Sequence, residues 1–369
     1  MSVVGSRSRA PLMRVRYEED LRLLSSRRSA LWVLVLLAAV IAVPYQLSGA
    51  WLNVLDYAAV FAVGAIGLNL LTGYTGQISL GHAFFMGVGA YVAAEFGVKH
   101  DWPLLVYLPL AAVVGALVGG LIGPFALRLR GDYLAIITLG LVFTGQYLFD
   151  QWDSVTGGGS GVGTAAPLKV GPWDFANLHV FGRQFTREQG LFWLFAIIVA
   201  IAALLAKNLV RSRPGRAMQA VRDRDLAAEV VGVSQFRYKV GAFAISSGFG
   251  ALAGAMYASL QQFVSPSEWS LLLSIQFVAI IIIGGMGTIF GSILGALVVR
   301  ATPELIQRYS EHIPGVIPAN GGDGVITAAS LNNLLYGVLI VLFLVVQPQG
   351  LAALWLRIKG YVKAWPFST

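Results

Sequence analysis

The chain has no cysteine, few charges and only four histidines, and each shortage excludes a class of protein. Without cysteine there is no disulfide framework, no thiolate metal site and no thiol nucleophile. Charged residues make up 12% of the 369 positions against 57% apolar ones, and the mean hydropathy is +0.72. A soluble protein of this length needs far more charge to cover its surface, so much of this surface faces lipid. Ionisable groups are also scarce within the apolar segments, where Asp56, Glu95, Asp150 and Arg300 stand near segment ends. A proton- or sodium-coupled carrier keeps such a group at mid-membrane, so the energy for any transport comes from elsewhere. No apolar segment holds clustered acids, clustered histidines or a nucleophile–base pair. That speaks against a membrane-bound enzyme and leaves no catalytic or metal-ligating residue to assign.

What the chain does have is long apolar runs. A helical crossing needs roughly 20 mostly apolar residues, and the candidates are 30–49, 52–71, 78–97, 102–127, 133–149, 189–208, 237–260, 270–286, 288–305 and 331–348. The expected fold is an all-α polytopic transmembrane bundle of about ten spans. A short Gly-rich hinge separates the second span from the third, and another separates the eighth from the ninth. Either pair can instead form a broken or re-entrant helix, so the count ranges from eight to eleven by the same length rule. Arg7–Arg28 followed by Leu31–Val43 resembles a signal peptide, but the basic region is long and Pro44, Tyr45 and Gln46 replace a small-residue cleavage site. An uncleaved first helix is expected.

The net charge of +8 suggests nucleic acid until its distribution is read. With the N-terminus in the cytoplasm, Arg7, Arg9, Arg14, Arg16, Arg22, Arg27 and Arg28 lie inside. So do Arg128 and Arg130, then Lys207 to Lys239, and finally Arg357, Lys359 and Lys363. Twenty of the 26 basic residues fall on that side, which is the positive-inside pattern and places both termini in the cytoplasm. The bilayer of the inner membrane is then the partner, not nucleic acid. The expected division is a cytoplasmic segment 1–29, a membrane domain 30–348 and a cytoplasmic tail 349–369. Within the membrane domain lie a cytoplasmic loop at 209–236 and outside loops at 150–188 and 303–330, both rich in turn residues.

Many of the 43 glycines recur at a spacing of four. Gly115, Gly119 and Gly123 share a face of the fourth span, Gly250 and Gly254 of the seventh, and Gly287, Gly291 and Gly295 of the ninth. Small residues at this spacing let helix backbones approach closely; packing within the chain, dimerisation and a gating hinge all fit. The run TGGGSGVGT lacks the Gly-Lys-Ser/Thr ending of a phosphate loop, so no nucleotide site is expected on this chain. In the hinge TGYTGQISLGH, Tyr74, Gln77, Ser79 and His82 bring polar groups to membrane depth, where irregular backbone is either buried in protein or lines a cavity. They are candidate passage-lining residues; helix packing is the alternative, and His82 reads equally as a histidine hydrogen-bonded in a helix interface.

The stretch Arg213–Tyr238, RPGRAMQAVRDRDLAAEVVGVSQFRY, is the most informative. Pro214 suits a first helical turn and Gly232 a C-terminal stop, which predicts one helix between them. Ala217, Ala220, Val221, Ala228 and Val231 form a narrow stripe of small apolar residues on it. Such a helix either lies solvated on the loop or docks into a groove of another protein.

This segment, GRAMQAVRDRDLAAEVVGVSQFRYKVGAFAISSGFGALAGAMYA at 215–258, resembles the coupling-loop region of branched-chain amino acid ABC permeases of the LivM type. Three further stretches resemble the same family: GLNLLTGYTGQISLGHAFFMGVGAYVAA at 67–94, LRLRGDYLAIITLG at 127–140 and IIIGGMGTIFGSILGA at 281–296. The resemblance implies a non-enzymatic permease subunit of an importer. Its partners would be a LivH-like second permease, two cytoplasmic ABC ATPases that carry ATP and Mg, and an external substrate-binding protein. It also implies that a short cytoplasmic helix fits a cleft in the ATPase, here with Pro214, Arg216, Ala227, Ala228, Glu229 and Gly232. Where the importer pattern puts Glu-Ala-Ala, this chain has Leu226-Ala227-Ala228, and either Asp225 or Glu229 stands in for the acid. Branched-chain or other hydrophobic amino acids are the implied cargo, with urea, short amides or another small solute as the alternative. A stand-alone carrier or channel is the reading from a different class.

Overall fold

The computed structural model describes residues 27–126, 133–170, 173–175, 179–180, 183–309, 316–317, 326–347 and 349–364. The basic residues Arg7–Arg22, Arg128 and Arg130, and parts of the loops at 150–188 and 303–330, lie outside them. Contacts divide the chain after Gln46. The first unit contributes α1 (Arg27–Gln46), which carries Pro44 in its last turn.

The second unit is a helical bundle whose elements stand where the apolar runs predict. They are α2 (Gly49–Thr75), α3 (His82–Val92), α4 (Leu104–Ala126), α5 (Tyr133–Gln151), α6 (Arg187–Arg211), α7 (Arg213–Asp223), α8 (Asp225–Val230), α9 (Gln235–Gln261), α10 (Leu271–Gly284), α11 (Ile289–Tyr309), α12 (Ala328–Val346) and α13 (Gly350–Ala364). Among the described residues six helices are long and apolar enough to cross a membrane, namely α2, α4, α5, α6, α9 and α11. Shorter apolar helices stand at the expected first, eighth and tenth spans. The protein is a multi-pass membrane protein.

Two boundaries differ from expectation with a clear cause. The third span does not begin at Ile78: Gln77–Ser79 is non-helical, and α3 starts only at His82. Gly76 ends α2 in the left-handed conformation (φ 70°), and its N–H returns to the Thr72 carbonyl while that of Gln77 returns to Leu71. This Schellman closure turns the chain out of helix and satisfies the last carbonyls. At its other end α3 passes into a π-helical stretch, Ala93–Lys99.

α2 is apolar on all sides and almost wholly buried, so it is the axis of the bundle rather than a lipid-facing wall. α9 lies along it and along α3 and α4. Glycine permits that approach: a Cβ at Gly89 would strike the Ala251 backbone, and one at Gly254 the Met86 backbone. Gly115 and Gly119 face Ala251 and Ser247 in the same way, whereas Gly123 has ordinary contact space. Gly291 and Gly295 pack on the backbones of Gly284 and Ile280 in α10. Gly287 is not part of that helical face. It lies in the turn before α11 with φ 76°, a backbone state that suits glycine.

Candidate coupling site

The loop after α6 is built from its caps outward. Ser212 ends α6 with extended backbone, its hydroxyl accepts from the Gly215 N–H, and Pro214 occupies the first turn of α7. Gly215, Met218 and Val221 form the buried edge of α7. Had the helix continued unbroken, that register would point Asp225 at the bundle. Instead Arg224 is extended (φ −155°, ψ 94°), and α8 restarts with Ala228 as its buried residue. The single helix expected over Pro214–Gly232 is therefore two helices, and the break leaves the Asp225 carboxylate in solvent. The break also changes the stripe. Val221 and Ala228 face inward, while Leu226, Val230 and Val231 stand 74%, 89% and 77% exposed.

Around that apolar tip the other expected residues are held from the side. Gln235 donates to the Asp225 carbonyl and to the Glu229 carboxylate at 2.8 and 3.0 Å. Gly232 closes α8 at φ 87° and its missing Cβ would meet nothing within 4 Å, so backbone geometry rather than crowding requires glycine there. Ala227 is exposed, and Arg216 donates back to the Arg211 carbonyl at 2.8 Å.

One contact is made by Arg222, which is absent from the residues that the sequence singles out. Its guanidinium donates to the Gly73 carbonyl in the last turn of α2 at 2.7 Å, and Asp223 accepts from its Nε at 2.9 Å. A Cβ added at Gly76 would lie 3.1 Å from the same side chain and one at Gly287 3.4 Å from it, so Arg222 sits where both hinges meet. Its spacing of four from Met218 and seven from Gly215, on the buried edge of α7, was the available signal.

The two hinges are tied by Asn69. Its amide donates to the Thr288 carbonyl and the Ser292 hydroxyl, and its oxygen accepts from the Gly287 N–H, each at 2.8 Å. The hinge backbone at 80–83 is satisfied by neighbouring helices: Leu80 N–H donates to Thr138 of α5 and Ala83 N–H to Ser274 of α10, both at 3.0 Å. Tyr74, Gln77, Ser79 and His82 are all buried. Ser79 accepts from the Gly81 N–H, and the His82 ring packs edge-on against Phe277. The Gln77 amide and His82 Nε2 have no partner among the described residues. These four side chains pack against neighbouring helices of the bundle.

Arg300 is the twelfth residue of the 21-residue α11. Asp56 is fully buried on α2. α11 runs to Tyr309, four residues beyond the span expected from hydropathy.

The profile of the family "Branched-chain amino acid transport system / permease component" matches residues 50–344. The high-affinity branched-chain amino acid transport system permease protein LivM of Salmonella typhimurium is 30% identical over 89% of this chain and 76% of its own length. The corresponding LivH protein of Escherichia coli is 26% identical over 70% of this chain and 85% of its own. The ribose import permease RbsC of Haemophilus influenzae is 23% identical over 67% and 74%. No solved structure matches.

Proposed function

The chain belongs to the permease-component family of branched-chain amino acid transport systems, and on that premise we propose that it is one membrane subunit of an ATP-driven importer in the inner membrane. The basic end of the bundle, with α7 and α8, faces the cytoplasm together with both termini. A LivH-like permease completes the membrane unit, two ABC ATPases bind below it, and an external binding protein delivers solute. ATP and Mg belong to the ATPases, and this chain holds no cofactor and performs no chemistry of its own. The cargo is a branched-chain or other hydrophobic amino acid, as the LivM and LivH names support. The ribose permease among the relatives favours one second reading, the same architecture with another small solute.

The observation that carries the role is the tip of α8. Leu226, Val230 and Val231 expose a compact apolar face on a short helix otherwise surrounded by charge, the form of an anchor for a groove on a partner. Behind the tip, α7 delivers Arg222 to the end of α2 and to the Gly287 turn. Closure of the ATPases on α8 would thus be passed through α7 to the two hinges that join α2 to α3 and α10 to α11.

The test is co-purification of the ATPase with Val230→Asp. A charge at this exposed position leaves the fold unaltered, so the permease should still accumulate in the membrane but lose the ATPase. Full retention of the ATPase would remove α8 as the docking element. The solute retained by the binding protein decides between the two cargo readings.

A further inference from the structure

At the end of the bundle opposite α7 and α8, polar groups gather that the coupling mechanism does not use. Of the eleven buried side-chain nitrogen and oxygen atoms without a hydrogen-bond partner among the described residues, seven belong to Asp56, Tyr91, Arg187, Glu268, Trp269 and Arg300. Ring contacts connect Arg300, Trp269 and Tyr91 into one cluster through Tyr57 and Tyr257. Arg300 places its guanidinium carbon 4.6 Å from the Tyr57 ring centroid and 4.9 Å from that of Phe61. Tyr57 donates to Gln261 and packs 5.9 Å from Tyr257, which in turn packs 5.7 Å from Trp269. The Tyr257 hydroxyl lies beside the Glu268 carboxyl.

Arg300 thus lies over Tyr57 and Glu268 beside Tyr257, a cation and an anion held on neighbouring tyrosines and not on each other, with Asp56 and Arg187 as a second pair of opposite charges close by. Neither Arg300 nor Glu268 has an ion-pair partner within 4.0 Å among the described residues, and each keeps a buried atom unpaired, Nε of Arg300 and one oxygen of Glu268. A charged side chain within a span that faces the bundle interior and lacks a protein counter-ion marks a pathway more often than a packing device. Trp269 is 1% exposed and its indole N–H also lacks a partner, so the aromatic wall offers a further donor.

We propose that this cluster is a transient binding site for the zwitterionic head of an α-amino acid, with Arg300 receiving the carboxylate and Glu268 the ammonium against the faces of Tyr57 and Tyr257. The inference rests on the permease reading and sharpens its cargo. A zwitterion satisfies both unpaired charges at once, whereas urea, a sugar or a neutral amide would leave both half-buried charges without a counter-ion. The apolar ring of Phe61 extends the site toward the membrane centre, on the side where a hydrophobic side chain would lie. Phe61 stacks on Phe277 at 5.0 Å, and Phe277 meets His82 at 4.8 Å, so an unbroken line of rings runs from the site to the first hinge.

The experiment uses the assembled transporter in proteoliposomes, with its partner permease, ATPases and binding protein, and leucine as the probe. Leucine moved per ATP hydrolysed is measured for the wild type, Arg300→Gln, Arg300→Lys and Glu268→Gln. The ratio should fall tenfold or more in R300Q, recover in large part in R300K, and fall several-fold in E268Q. An unchanged ratio in R300Q and E268Q, or an equal loss in R300Q and R300K, overturns the site and leaves the permease reading intact. Should R300Q not assemble, the ratio in E268Q alone decides. A wild-type transporter that moves no leucine with ATP overturns both.

Discussion

Arg222 is the residue at which the coupling argument is most exposed to test. Its 2.7 Å bond to the Gly73 carbonyl is the charged contact in which α7 holds the end of α2. A hydrogen bond from a charged donor contributes about 1.5–3 kcal/mol. The Arg222 side chain is 39% exposed, so solvent screening reduces that to about 1–2 kcal/mol. If this contact transmits the state of the ATPases, its loss lowers the coupling between nucleotide state and hinge state by the same amount, about 5- to 30-fold. Arg222→Gln should therefore assemble with the ATPases and hydrolyse ATP, yet import solute with a correspondingly lower yield per ATP. Arg222→Lys should recover only part, because a single ammonium cannot reproduce the guanidinium fork between Asp223 and Gly73. The assay is parallel measurement of uptake and hydrolysis in proteoliposomes. A wild-type yield in R222Q would refute the strut and leave the connection to packing of Met218 and Val221 alone.

Asn69→Leu should destabilise the detergent-solubilised protein by about 1–3 kcal/mol, because it leaves the Gly287 N–H without its acceptor, while the Thr288 carbonyl keeps the Ser292 N–H. Thermal unfolding should show Ser292→Ala as much milder, since Thr288 still accepts from Asn69. Gly254→Val places its branch against the Met86 backbone, and membrane fractions should contain little of it; wild-type levels would contradict the close approach of α9 to α3. Burial pushes the Glu268 carboxyl above the usual carboxylate range. The folded state thus favours the protonated form, so this contribution to stability is complete below the ordinary glutamate value and is lost as pH rises through the raised one. Unfolding curves of wild type and E268Q should coincide in acid and separate toward pH 8, with E268Q the more stable; a gap independent of pH would mean the carboxyl is not desolvated.

The sequence alone determined the class of the protein. Span length, low charge and the asymmetry of Lys and Arg require a polytopic helical protein, because lipid leaves backbone groups no partner but their own helix. The caps were equally local: Pro214, Gly232 and Gly76 each stop or start a helix for reasons confined to neighbouring residues. Tertiary structure decided which residues act together. The break at Arg224 leaves Asp225 in solvent, and only a neighbouring body makes an inward carboxylate costly. Hydropathy places Arg300 near a span end but says nothing of its neighbours; the structure sets the guanidinium on Tyr57 and Phe61, some 240 positions earlier in the chain. Arg222 on Gly73 and Asn69 on Gly287 are likewise long-range contacts, and no periodicity along one helix can report the face of another. Composition therefore set the solvent and the local backbone. The approach of distant segments, governed by glycine surfaces and satisfied polar groups, assembled the coupling contact and the polar cluster at the opposite end.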